Sequence, residues 1–114
     1  MTTTAIRRRL PLDRTGLTHK FNVSGYEGYL TLNCFDDGTP AELFITMAKE
    51  GSTVGGLMDT IGILTSVALQ HGVPFSVLSD KMRDTRFEPS EPGKASSIID
   101  YIFRWIEEAV PGRK

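Results

Sequence analysis

The feature that most constrains the fold is a change in hydrophobic periodicity near residue 50. Between Leu17 and Met47, apolar and polar residues alternate with a period of two, which is typical of half-buried strands. From Val54 onward, apolar residues recur every three or four positions, which is typical of amphipathic helices. A run of strands followed by a run of helices predicts an α+β domain.

Three segments carry the strand pattern. Residues 18–23, 26–35 and 41–47 are rich in β-branched and aromatic side chains, and residues 24–25 and 36–40 between them have turn sequences. Because the connections are this short, we predict a three-stranded antiparallel meander.

The alternation also assigns side chains to the two faces of the sheet. The face expected to carry the helices has Leu30, Leu32, Cys34, Leu43, Ile45 and Met47, and the opposite face has Tyr29, Thr31, Asn33 and Phe35. Cys34 has apolar neighbours and no adjacent basic residue, so we expect an inert core thiol. His19 has no carboxylate or second histidine at ligand spacing, so we expect a structural or surface role.

The first helix is predicted to begin at Ser52 or Thr53, whose side chains can cap it, and to end before the sequence at residues 71–74. Along it, apolar residues recur at helical spacing, at Val54, Leu57, Met58, Ile61, Leu64 and Ala68. A second apolar row contains Ile63 and Val67. We therefore expect this central helix to be sandwiched between the sheet and other helices, or between subunits.

A short second helix is predicted from Pro74 to about Arg83. The tight connection between the two helices has a pattern similar to a helix-turn-helix. Many αα-hairpins share this pattern, and the domain is not basic. Sequence-specific DNA binding by this helix pair is therefore an alternative to a purely structural hairpin.

The last helix is predicted over about residues 95–110, ending at Pro111 and Gly112. We expect Ile98, Ile99, Ile102, Phe103, Ile106 and Ala109 to point inward, and Asp100, Arg104, Glu107 and Glu108 to point outward. Tyr101 and Trp105 lie one turn apart on its flank, where they either complete the core or form an interface with a partner.

Length and charge restrict the function classes. A chain of 114 residues with 39% hydrophobic content can bury one core, so we predict a single domain over residues 17–110. The net charge of −1 argues against a dedicated nucleic-acid or membrane binder. The single cysteine excludes an internal disulfide, and the sequence shows neither a signal peptide nor a membrane-spanning segment, so we expect a cytoplasmic protein.

Residues 1–16 are predicted to form an extended basic arm. Arg7, Arg8 and Arg9 are its most basic part. They are expected either to be solvated or, as the alternative, to contact nucleic acid.

No catalytic or metal-binding constellation is recognisable in the sequence, and the glycine-rich loop lacks the lysine of a P-loop. A phosphate or nucleotide could nevertheless bind where the first helix begins, because free N–H groups there attract anions. The candidate residues for such a site are Lys49, Ser52, Thr53, Gly55 and Gly56, with Arg83 and Arg86 as a second clamp. The alternative is a tight strand-to-helix corner without a ligand.

Eight blocks of sequence, in the same order and with similar spacing, resemble a known domain. They are residues 18–21, 25–29, 37–45, 47–53, 56–59, 71–74, 85–89 and 100–105. Together they resemble the C-terminal accessory domain of vitamin B12-dependent (class II) ribonucleotide reductases. More distantly, they resemble the TSCPD-type domain found with ribonucleotide reductases, although the Thr-Ser-Cys-Pro-Asp signature itself is absent.

The resemblance implies a link to deoxyribonucleotide synthesis, but it does not bring the active site of the reductase. In that family the catalytic cysteines lie in an upstream barrel, the shuttle cysteines lie in a tail, and adenosylcobalamin binds in another domain. One cysteine cannot supply three thiols, so catalysis by this chain alone and a bound cofactor are not expected. The loop at residues 86–94 also looks shorter than in the full-length enzymes.

Three functions follow from these features. The chain could dock on a reductase catalytic chain or hold a nucleotide or nucleic-acid phosphate. It could instead be a small nucleic-acid-binding or regulatory module that uses the arm and the helix pair. Alternatively, it could be a structural homodimer that uses the apolar surface of the central helix.

Overall fold

A computed structural model describes residues 6–49, 51–88, 90 and 95–110. Its elements are the strands β1 (Gly16–Val23), β2 (Tyr26–Cys34) and β3 (Pro40–Met47) and the helices α1 (Thr53–Gln70), α2 (Phe75–Met82) and α3 (Ile98–Ala109). The strands form one antiparallel sheet in the order β1-β2-β3. The predicted α+β meander with three helices is confirmed.

The register of the sheet follows from its turns. Ser24 and Gly25 both have positive φ, 49° and 90°, as the tightest hairpin turns require. The pairing of β2 with β3 shifts between Asn33 and Cys34, as at a β-bulge. Beyond this shift Phe35 is buried, with the guanidinium of Arg8 3.9 Å from its ring centroid, so its predicted outward position is wrong.

Helix α3 supplies much of the core against the inner face of the sheet. Its isoleucines and Phe103 are buried together with Leu30, Leu32, Leu43 and Ile45. The helix begins three residues later than predicted because the hydroxyl of Ser97 caps it, accepting a hydrogen bond from the Asp100 amide at 3.0 Å. Its predicted end at Pro111 and Gly112 lies outside the described residues.

Helix α1 runs along the outer edge of β3. Ser66 Oγ accepts a hydrogen bond from the Leu43 amide at 2.9 Å, and Gln70 Nε2 donates one to the Ala41 carbonyl at 3.2 Å. A Cβ on Gly62 would lie 2.9 Å from the Leu43 carbonyl oxygen, so only glycine allows this close approach. The side chains of α1 therefore satisfy backbone groups that an edge strand would otherwise leave unpaired.

The outer side of α1 is not covered by the described part of the chain. Leu57 and Leu64, which belong to the predicted apolar row, are 59% and 63% exposed. The buried residues of α1 are Met58, Gly62, Thr65, Leu69 and Gln70. The predicted sandwich between the sheet and other helices is therefore wrong, because α1 covers an edge of the sheet and not its face.

The described part of the arm is tied to the domain. The Arg8 amide donates to the Gln70 carbonyl at 2.6 Å, and Arg7 Nε donates to Gln70 Oε1 at 2.6 Å. Arg14 Nη1 donates to both carboxylate oxygens of Glu42, at 2.8 and 2.9 Å. Residues 1–5 of the predicted arm lie outside the described residues.

Among the described helices, none has the length and apolar character needed to cross a membrane.

Candidate functional site

The corner between β3 and α1 is the first candidate site. Ser52 caps α1 as predicted, with Oγ accepting from the Gly55 amide at 2.9 Å and donating to the Lys49 carbonyl at 3.0 Å. Gly51 has a φ of +74°, which favours glycine and lets the chain reverse. Residue 50, within this corner, lies outside the described residues. The Ser52 hydroxyl is therefore occupied by the corner itself.

A cavity of about 390 Å³ opens beside this corner. It is lined by Gly25, Tyr26, Glu27, Met47, Ala48, Lys49, Ser52 and Val54. Of the predicted anion ligands, Lys49 and Ser52 line the cavity, whereas Thr53, Gly55 and Gly56 do not. Because the Ser52 hydroxyl already donates to the Lys49 carbonyl, the Lys49 ammonium is the candidate that remains for contact with an anion. The Glu27 carboxylate shares the cavity with Lys49, and it opposes the binding of an anion there.

Arg83 and Arg86, the second predicted clamp, do not line this cavity. Arg83 lies 3.2 Å from a carboxylate oxygen of Glu107 and 3.5 Å from one of Asp80. Arg86 is exposed. Ser24 donates to the Ser90 carbonyl at 2.6 Å, which joins the loop that follows Arg86 to the β1-β2 hairpin.

A buried carboxylate holds the start of that loop, and the sequence did not reveal it. Asp100 was predicted to point outward, but it is 2% exposed. It accepts hydrogen bonds from the Asp84 amide at 2.6 Å, the Ser96 amide at 3.2 Å and Arg104 Nε at 2.9 Å. Burial raises the pKa of Asp100, but these donors outweigh burial and hold the pKa below its usual value. One indication of this role is present in the sequence, because Asp100 follows Ser97 in the first turn of α3. A carboxylate at that position stabilises a helix through its interaction with the helix dipole.

The predicted interface residues Tyr101 and Trp105 belong to an aromatic cluster with His19. The His19 ring stacks on Trp105 at a centroid distance of 5.0 Å, and its Nε2 lies 2.9 Å from the Tyr101 hydroxyl. All three side chains are half-buried. In the described chain this cluster fixes α3 against β1.

The basic triplet of the arm is largely engaged inside the chain. Arg7 bonds to Gln70, and Arg8 pairs with Asp37 at 3.3 Å, although all three arginines of the triplet are exposed. Hydrogen bonds from the Thr39 hydroxyl and amide, assisted by Arg8, lower the pKa of Asp37 to about 2. Two of the three guanidinium groups thus already have partners.

The described residues offer little for bond-making chemistry. Cys34 is half-buried, and burial together with the Asp37 charge raises the pKa of its thiol. Within the same ranges, no group of three or more His, Cys, Asp or Glu side chains is arranged to hold a metal ion. The structure instead places the Lys49 ammonium beside a cavity and exposes several large apolar side chains. Such features are typical of a protein that binds a ligand or a partner.

Comparison with known families gives a match over most of the chain. The family described as the TSCPD domain matches residues 3–110. No solved structure gives a significant match.

The similar proteins are much longer than this chain. A vitamin B12-dependent ribonucleotide reductase of Rhodopirellula baltica is 51% identical over 106 residues, covering 88% of this chain and 10% of the relative. The protein of the same name from Streptantibioticus cattleyicolor is 45% identical and covers 87% of this chain and 18% of the relative. That from Bradyrhizobium diazoefficiens is 39% identical and covers 86% of this chain and 8% of the relative. The chain therefore spans between 8% and 18% of the length of these relatives.

Proposed function

Since the chain belongs to the TSCPD domain family, we propose that it is a non-catalytic accessory module of deoxyribonucleotide synthesis that docks on a vitamin B12-dependent ribonucleotide reductase. The observation that carries this proposal is the extent of the match. Nearly the whole chain is similar to a small part of the reductase, so the remainder of such an enzyme would be the surface to which it binds. A cytoplasmic location accompanies this proposal.

The chemistry of the described residues agrees with an accessory role. The thiol of Cys34 is half-buried and its pKa is raised, so little thiolate forms near neutral pH. Two buried polar side chains, Asp100 and Gln70, are occupied in holding the fold. Adenosylcobalamin and the reducing thiols would belong to the reductase chain.

The test is a binding titration with a B12-dependent reductase from which the region similar to this chain has been deleted. We expect the deleted enzyme to bind this chain saturably by calorimetry. The intact reductase is the control, and it should bind more weakly because its own copy of the domain occupies the site. Absence of binding to a folded deletion enzyme would refute docking.

A second candidate function, the binding of a nucleotide phosphate, is favoured by the corner cavity. Lys49 lines it beside the N-terminus of α1. A nucleotide at a hundred times its dissociation constant should raise stability by about 2.7 kcal/mol in a thermal-shift assay. We expect Lys49→Ala to abolish this shift and Lys81→Ala, an exposed lysine on α2, to retain it. A shift that survives Lys49→Ala would place the ligand elsewhere.

The nucleic-acid alternative has less support, because Arg7 and Arg8 already pair with Gln70 and Asp37. A salt-dependent mobility shift with short DNA, weakened by Arg9→Ala, would favour it over docking.

A further inference from the structure

The outward side of α1 carries a regular apolar row. Leu57, Thr60, Leu64 and Val67 follow one another at spacings of three and four residues, the spacing of a helix seam that packs on another helix. We call these four residues the α1 stripe. Leu57, Leu64 and Val67 are 59%, 63% and 49% exposed, and Thr60 is exposed as well.

The α1 stripe continues onto the sheet. Ile63, 55% exposed, and Phe44 on β3, 49% exposed, line a groove beside it together with Val67. A patch of five half-exposed large apolar side chains covers on the order of 500 Å², about the size of the largest patch on a typical monomer. A standard interface buries roughly 800 Å² on each partner. In a dimer, the polar residues around the patch would supply the area that the apolar side chains do not.

We propose that the α1 stripe is the interface of a homodimer, in which the α1 helices of two copies pack antiparallel about a two-fold axis near Leu64. This inference does not depend on the proposed docking to a reductase. The stripe itself bears no charged side chain, so two copies meet without like-charge repulsion at the centre. Thr60 then lies opposite the partner's Val67, and Leu64 lies opposite the partner's Leu64.

Charge complementarity decides the direction of packing. Asp59 near the start of α1 and Arg7, held by Gln70 at its end, line the same groove beside the stripe. Under an antiparallel two-fold, Asp59 of each copy comes beside the partner's Arg7. A parallel pair would leave the two charges at opposite ends of the helices, about 16 Å apart at 1.5 Å per residue. Antiparallel helices also align their dipoles favourably.

The experiment is sedimentation equilibrium of the full chain at micromolar concentration. We expect a mass near twice the 12.6 kDa of the chain. Leu64→Glu places two carboxylates at the axis and should weaken dimerisation by at least about a hundredfold. Val77→Glu, an equally apolar but separate exposed site on α2, is the matched control and should leave the dimer intact. Circular dichroism checks that both variants fold.

The packing direction is tested by exchanging charges. Asp59→Arg should weaken the dimer, and adding Arg7→Glu should restore it, because the two side chains are paired across the axis. A monomeric wild-type chain would overturn the proposal, as would equal weakening by Leu64→Glu and Val77→Glu. If the chain is monomeric and Leu64→Glu instead abolishes binding to the deleted reductase, the stripe is a reductase-docking surface and the homodimer is refuted.

Discussion

At the scale of single residues, Asp100 shows how one side chain organises a loop. Its two carboxylate oxygens accept from amides on either side of that loop, at Asp84 and Ser96. Arg104 balances the charge from one turn further along α3. Since the Asp84 backbone has a φ of +66°, a conformation that is uncommon outside glycine, the hydrogen bond to its amide holds the chain in place.

We predict that Asp100→Asn lowers the free energy of unfolding by roughly 1–3 kcal/mol at pH 7, because hydrogen bonds to a buried charge are lost. The pKa of Asp100 is lower in the folded than in the unfolded state, so its carboxylate stabilises the fold above the unfolded pKa of about 4. That stability is lost as the pH falls through the folded pKa.

Urea denaturation at pH 7 and in acid tests this prediction, with the exposed Glu108→Gln as the control on the same helix. The difference in stability between wild type and Asp100→Asn should shrink in acid. A difference that stays constant with pH would show that Asp100 is not ionised in the fold.

We predict that Cys34 reacts slowly with iodoacetamide at neutral pH. Burial and the negative charge of Asp37 both disfavour the thiolate, which is the reactive form. Alkylation of the folded protein, followed by mass spectrometry, should be at least several-fold slower than alkylation in urea. Equal rates in the two states would contradict the inert role assigned to this thiol.

At the scale of elements, the position of α1 depends on small residues facing β3. Gly62 lets the helix backbone approach the strand, and Ser66 exchanges hydrogen bonds with the Leu43 backbone. The helix thereby covers the edge of the sheet, which protects β3 from pairing with another strand. The same placement leaves its opposite apolar side exposed.

We predict opposite effects for two glycine substitutions in α1. Gly62→Ala should destabilise the protein by about 1–3 kcal/mol, since the new methyl group would lie 2.9 Å from the Leu43 carbonyl oxygen. Gly56→Ala meets no atom within 4 Å and should stabilise by up to about 1 kcal/mol through helix propensity. Urea denaturation of both variants checks this, and stabilisation by Gly62→Ala would show that α1 does not pack closely on β3.

At the scale of the whole molecule, Gln70 joins three parts of the chain. Its side chain donates to Ala41 on β3 and accepts from Arg7 of the arm, and its carbonyl accepts from the Arg8 amide. Gln70 is 3% exposed, so these partners replace water. The described part of the arm is thus a constituent of the domain.

We predict that Gln70→Ala destabilises the protein by roughly 1–3 kcal/mol, because the amide of Gln70 is buried and its partners lose their bonds. The arm should also detach, so trypsin should cut after Arg7, Arg8 or Arg9 faster than in wild type. Val77→Ala, an exposed change on α2, serves as the control. Unchanged cleavage at the arm would show that Gln70 does not hold it.

The candidate site was only partly predictable from the sequence. Lys49 and Ser52 come together because they are near neighbours in one tight turn. Arg83 was expected beside them, but it pairs with Glu107, which lies 24 positions further along the chain. The burial of Asp100 likewise depends on the Asp84 amide, a partner 16 residues away. Patterns within a short window carry no information about such partners.

The sequence by itself determined the three strands, their turns and the capped start of α1, because alternation, turn chemistry and caps act between residues close in the chain. Only the tertiary structure decided that α1 lies on an edge of the sheet and not between layers. Hydrophobic periodicity indicates which residues of α1 avoid water, but it does not indicate which element they pack against. The contact of Gly62 with Leu43 and the hydrogen bonds of Ser66 place α1 against β3. The exposed side of α1 follows from those long-range contacts.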